Sequence, residues 1–248
     1  MNAQFRIFIL ALGILLAGGL AMFFYVMEVE NFEEVVEVQE DNTYYDGEVV
    51  PLPDVRFDSE KSVEEALNNR RTVRNFTDEE VTLADVGQLL WSAQGITDLS
   101  SGFRTAPSAG GKFPLEVYLV AGKVKNLAPA VYHYNPKIHQ LEKVVDGDKR
   151  AEVSVAGVNQ KWIAESAVNI VFAGVFERTR SKYGERAEQY VYIEVGHAAQ
   201  NIYLQAESLG LGVGVIGAFD DSELKRIMGM KEEEAPLYII TAGQKSIN

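Results

Sequence analysis

Cysteine is absent from the 248 residues, which excludes disulfides, thiolate metal ligands and a cysteine nucleophile. Histidine is scarce. His133, His139 and His197 form no HExxH and no close pair, so a histidine-built metal site has no ligands to draw on. Basic residues are also few: 23 Lys and Arg face 36 Asp and Glu, and a net charge of −13 excludes a surface for nucleic-acid phosphates. Internal repeats and a regular βαβ alternation are missing too. What the chain does have is 47% hydrophobic residues, enough for one sizeable core with appendages.

The longest apolar stretch is at the N-terminus. Ile7 to Met27 carries no charge and has roughly the length that spans a bilayer core. Arg6 precedes it, while Glu28, Glu30, Glu33 and Glu34 follow. Positive charge stays on the cytoplasmic side, so this pattern predicts a single-pass anchor over residues 1–27 with the remainder extracytoplasmic. A cleaved signal peptide is the alternative, with small residues at Ala17-Gly18-Gly19 or near Ala21 as weak cleavage sites. Residues 28–54 are acidic, with Pro51 and Pro53 near the end, and read as a linker. Val35, Val36, Val38, Tyr44 and Tyr45 leave open an ordered extension packed on the domain.

Residues 55–248 fit one domain. Ser62 with Glu65 predicts a capping box, and Thr82 caps a helix with Val86, Leu89, Leu90 and Ala93 on one face. A polar loop from Thr97 to Gly111 leads to a strand at Leu115–Ala121, and Asn135-Pro136-Lys137 signals a hairpin. A helix near Asp148–Val158 and a strand at Val168–Phe176 follow. In the long helix beginning near Tyr190, Val191, Val195, Ala198, Ile202, Ala206 and Leu209 recur at three- and four-residue steps. Ala199 and Tyr203 widen that stripe, so more than one side is expected to be buried. A glycine-rich strand comes next, then a helix capped by Asp221 and ended by Gly229, then a strand at Leu237–Ala242. Short strands mixed with helices predict an α+β domain.

Three stretches carry candidate chemistry. Gly212-Val-Gly214-Val-Ile-Gly217 matches GxGxxG, but it follows a helix and itself reads as strand, the reverse of the dinucleotide context. Glycines there also allow close backbone approach to a ligand. Arg70-Arg71-Thr72-Val73-Arg74-Asn75-Phe76 offers guanidinium forks suited to a phosphate, or else a solvated basic turn paired with Asp78, Glu79 and Glu80. Thr105 to Pro114 exposes Ser108, Gly110 and Gly111 between two prolines, either as a ligand loop or as a tight connection. His197 lies mid-helix, where a hydrogen bond across the buried face is expected, and Trp91 and Trp162 read as packing residues.

Taken together and in this order, RRTVRNF, PSAGG before LEVYLV, and AAQNIYLQAESLGLGVGVIGAF resemble the nitroreductase family of flavoenzymes. The resemblance covers nearly all of Val55 to Lys245. It implies an α+β nitroreductase-like fold, with a mixed or antiparallel sheet flanked by helices and a long central dimer helix. It also implies a homodimer holding FMN at its interface. By position, Arg70, Arg71, Thr72 and Arg74 would meet the FMN phosphate and ribityl chain. Pro107, Ser108, Ala109, Gly110 and Gly111 would line the flavin. Val215, Ile216 and Gly217 would present backbone to its ring edge, and Lys245 would join the phosphate. Gly111 stands where many members carry Asn, and PSAGG with FPLEVY is similar to the SagB-type dehydrogenase branch, whose best-known members oxidise azoline rings in peptides. That branch carries a Lys-Tyr pair acting on substrate protons, matched here by Lys182 and Tyr183. The implied function is an FMN-dependent oxidoreductase passing hydride through flavin N5 to or from a small molecule or peptide. An NAD(P)H-dependent nitro or quinone reductase and a membrane-tethered flavin-binding module without turnover are the alternatives.

Overall fold

The structure is a computed structural model and describes residues 48–246. The apolar run at residues 7–27 and most of the acidic stretch lie outside the described residues. Among the described residues, no helix is long and apolar enough to cross a membrane. The end of the stretch read as linker is ordered: β1 (Val49–Pro51) pairs antiparallel with β6 (Gln140–Asp146), and buried Val50 and Leu52 join the core. Alternation of burial along VVP gives the reason, since the middle residue points inward.

The framework is an antiparallel seven-stranded sheet. Its order is β1, β6, β5 (Ala130–Asn135), β4 (Leu115–Ala121), β7 (Val168–Gly174), β9 (Ala235–Gln244) and β8 (Leu211–Ile216). Helices cover both faces, so the central strands are apolar on both sides rather than alternating. In β4, Val117 and Leu119 pack toward α2 (Leu83–Gln94) and α6 (Ala187–Ser208), while Tyr118 and Val120 pack toward α3 (Arg150–Ala156), α4 (Lys161–Glu165) and α7 (Asp221–Met228).

Local signals set the helix ends. Ser62 Oγ accepts from the Glu65 N–H at 3.1 Å to start α1 (Val63–Asn69), and Thr82 with Asp85 forms a capping box for α2. Asp220, not Asp221, caps α7, because its side chain is the one that reaches the Glu223 N–H at 2.9 Å. Gly229 ends α7 in the left-handed region at φ 63°. The predicted strand to Phe176 stops at Gly174, and Phe176 opens α5 (Phe176–Tyr183). The loop expected at 97–111 contains a two-stranded hairpin of β2 (Ile96–Asp98) and β3 (Phe103–Arg104).

The stripe expected on α6 is buried as read, through Val191, Val195, Ala198, Ala199, Ile202, Tyr203 and Ala206. Two carboxylates share that buried side, Glu194 and Glu207.

Candidate active site

The arginine segment leaves α1 and runs beside the glycine strand. Thr72 bridges Val213, the Val73 N–H donates to the Val213 carbonyl at 2.8 Å, and Phe76 bridges Lys245. The glycines of β8 make this possible. A Cβ at Gly212 would lie 2.8 Å from Val73 Cγ1, and one at Gly214 would lie 2.5 Å from Trp162 and 2.6 Å from the Val73 carbonyl oxygen. Gly212 and Gly214 are therefore buried under protein, not held open for a ligand, which corrects the sequence reading of their role. At the strand's end the situation changes. Gly217 is exposed, and a Cβ there would meet nothing nearer than Tyr238 at 3.7 Å.

Arg70 stacks over Tyr203 (5.1 Å to the ring centroid) and Arg74 over Trp162 (5.4 Å). Arg71 donates to the carbonyls of Asn68 and Arg70. None of the three guanidiniums has a carboxylate within salt-bridge distance among the described residues, so the pairing with Asp78, Glu79 or Glu80 does not form. Asp78 is taken by Lys123 at 2.7 Å. Thr72 Oγ1 and Tyr203 Oη lie 2.9 Å apart. Lys245 is already paired: its ammonium meets Glu207 at 2.8 Å, and Lys61 approaches the same carboxylate at 3.6 Å.

The loop after Ala106 is built on two glycines at positive φ, Gly110 at 60° and Gly111 at 64°. A side chain at Gly110 would collide with Lys182 Nζ and Tyr183 Oη, each 2.7 Å from its Cβ. The loop and the Lys-Tyr pair are thus in contact. Lys182 lies over the Tyr183 ring at 5.4 Å, and Tyr183 makes an edge contact with Tyr190 at 4.9 Å between centroids. Lys182 is exposed, so the burial that a lysine base requires is not supplied by this chain alone.

Ser108 is not free. Its hydroxyl donates to Glu194 at 2.6 Å and accepts from the Phe113 N–H at 2.8 Å. Glu194 is only 2% exposed, and its second carboxylate oxygen has no partner among the described residues. Burial pushes its pKa up to about 7, against the opposing pull of the Ser108 hydrogen bond and the charge of Arg104. Sequence reading missed Glu194. The signal was there: position 194 falls in the same buried stripe as 191, 195 and 198, where a solvated glutamate does not belong.

The predicted site residues fall into two groups on α6. Thr72 meets it at Tyr203 and Ser108 meets it at Glu194, nine residues earlier, or about 13 Å along the axis. Pro107, Ala109, Tyr190, Ile193 and His197 border a groove beside Ser108. His197 is exposed there and makes no hydrogen bond across the buried face among the described residues.

The description "Nitroreductase family" fits residues 67–244 by comparison with family models. The Methanocaldococcus jannaschii protein MJ1384, which carries a nitroreductase name, is 39% identical over 196 residues, covering 79% of this chain and 96% of its own. The Escherichia coli microcin B17-processing protein McbC is 28% identical over 172 residues, 66% of this chain and 63% of McbC. A solved structure from Ralstonia eutropha, also named for the nitroreductases, superposes with a TM-score of 0.72 at 27% identity, covering 82% of this chain and 91% of its own.

Proposed function

The chain belongs to the nitroreductase family, and on that premise we propose that it is an FMN-dependent oxidoreductase of the SagB-like kind acting as a homodimer. The observation that carries the reading is the contact between the Gly110 loop and Lys182-Tyr183. A glycine at 110 leaves room for those two side chains beside the loop that would line the flavin. The likeness to McbC, whose name describes microcin processing, supports the same branch, although the chain spans less than two thirds of McbC.

The donor set suits a phosphate. In a chain of net charge −13, Arg70, Arg71 and Arg74 keep guanidiniums without carboxylate partners among the described residues, on a segment that runs beside β8 at Val213. Arg forks bind phosphate oxygens bidentately, and Thr72 adds a hydroxyl. Lys245 would contribute only by sharing its charge with Glu207. At the C-terminal end of the strand, Val215, Ile216 and exposed Gly217 offer backbone to a flat ring. FMN held there would supply a two-electron carrier. Lys182 would take a proton from the substrate carbon next to the one that gives up hydride, and Tyr183 would orient the lysine.

Two observations favour a homodimer. The arginine group and the Ser108 loop lie far apart along α6, and the exposed side of α6 presents Tyr192 and Ile193, 55% and 47% exposed, next to the loop. A second copy seated on that face would cover Lys182 and bring the two groups together. We extend the proposal to location: residues 7–27 anchor the chain and the domain faces outward, so externally added protease degrades the domain in intact cells if this holds.

Absorbance and mass analysis of gently purified protein test the cofactor. Protein without flavin whose apo form also fails to bind FMN overturns the reading. Adding NADPH anaerobically then separates the branches: rapid bleaching of the flavin assigns an NAD(P)H reductase, and bleaching only by an azoline substrate assigns the dehydrogenase.

A further inference from the structure

A second cavity, of about 440 Å³, is lined by Phe113, whose N–H bonds to Ser108. Its wall carries Arg104, Lys112, Lys137 and Arg178 against a single carboxylate, Glu116. That imbalance is unexpected in a chain of net charge −13. Glu116 is fully engaged: Arg178 pairs with one oxygen and His133 Nε2 lies 2.8 Å from the other. Although burial opposes it, those bonds hold Glu116 down at about 2.

Arg104 is the unusual member. Its Nη1 donates to Gln94 Oε1 at 2.8 Å and its guanidinium stacks over Phe113 at 4.6 Å. No carboxylate among the described residues lies within salt-bridge distance of it, although burial lowers its pKa and so penalises its charge. Lys112 and Lys137 likewise make no side-chain ion pair among those residues. Gln94 is 1% exposed, and its amide nitrogen has no acceptor among the described residues. A buried donor left unpaired costs about 1–3 kcal/mol, so such groups have a reason to persist. Phe113 itself is held at φ 45°, unfavourable for a bulky residue, by the bond from its N–H to Ser108. The aromatic platform for Arg104 is therefore kept in place at a backbone cost.

We propose that this cavity binds the oxyanion group of a small molecule, a phosphate or a carboxylate, on Arg104 and Lys112 with Lys137 closing the outer side. A guanidinium already stacked and tethered loses little freedom when it grips an oxyanion. The volume lies within the usual range of roughly 300–1,000 Å³ for small-molecule sites. Arg178, one helical turn before Lys182, places the cavity beside the Lys-Tyr pair, but the assignment stands without the flavin reading.

Calorimetric titration of the full-length protein, as isolated, with pyrophosphate and separately with citrate tests it, with chloride held constant. One of the two is expected to bind saturably, which identifies phosphate or carboxylate as the preferred group. Arg104→Gln and Lys112→Gln are each expected to weaken that binding at least tenfold, while Lys112→Gln keeps the wild-type flavin content. Lys137→Gln, at an exposed position with no folding role, should weaken it severalfold. Absence of saturable binding by either anion overturns the proposal. So does wild-type binding in Lys112→Gln and Lys137→Gln together, or binding abolished by Arg74→Ala but untouched by Arg104→Gln.

Discussion

Ser108 and Glu194, 86 positions apart in the chain, are joined by a 2.6 Å hydrogen bond that ties the glycine loop to the middle of the long helix. Its acceptor is a carboxyl pushed up to about 7 by burial. Below the ordinary carboxylate range Glu194 is protonated in both folded and unfolded chains and costs nothing. From about pH 4.5 to 7 the unfolded chain has released the proton and the folded chain still holds it, so stability falls as pH rises and levels off above 7. The loss is at most about 3 kcal/mol. Glu194→Gln should flatten that slope in urea unfolding at pH 5 and pH 8, and a slope equal to wild type would acquit Glu194.

Arg74 is exposed, stacks on Trp162 and carries no ion pair among the described residues, so its removal leaves the fold intact. Arg74→Ala is expected to lower FMN affinity by about tenfold, the worth of one charge-assisted contact. Flavin occupancy after dialysis reads it directly, and full occupancy would remove Arg74 from the phosphate group.

Lys182→Ala should keep wild-type flavin content and thermal stability, since Lys182 is exposed and its ammonium lies beside the Gly110 loop and over the Tyr183 ring. Substrate oxidation is expected to fall by about two to four orders of magnitude, the usual share of a general base. Turnover unchanged from wild type would leave Lys182 as a surface residue.

Gly214→Ala places a methyl 2.5 Å from Trp162 and 2.6 Å from the Val73 carbonyl, both parts of packed structure. Overpacking of this kind costs about 1–3 kcal/mol, read as a lower melting temperature. Because the displaced segment carries Arg70 and Arg74, flavin affinity should fall with it. Gly217→Ala, whose methyl would meet only Tyr238 at an ordinary 3.7 Å, is the control and should melt as wild type.

Much of the scaffold was legible in the chain because it rests on periodicity. The stripe from Val191 to Ala206, the Thr82 cap and the hairpin at Asn135 each depend on residues close in sequence. The site was less so. What Gly212 and Gly214 make room for is Val73, some 140 positions earlier, and glycine spacing alone cannot say whether a ligand or a chain comes close. Glu194 and Arg104 escaped for a similar reason. A charged residue reads as solvated until its distant partners, Ser108 for one and Gln94 with Phe113 for the other, are in view. Lys245 had the opposite fate, since its pairing with Glu207 spends a charge that position alone suggested was free.

The splice of the arginine segment onto the glycine strand has one more consequence. Val73 is fastened to Val213, Thr77 to Gln244 and Ser246 to Asn75 by main-chain bonds. The spacing between Arg74 and Gly217 is therefore dimensioned by sheet geometry. Loops such as the β2–β3 hairpin and the Pro136 turn are not bound by that dimension. Selection for a new substrate can rework them freely, while a molecule reaching from Arg74 to Gly217 meets a distance set by the main chain.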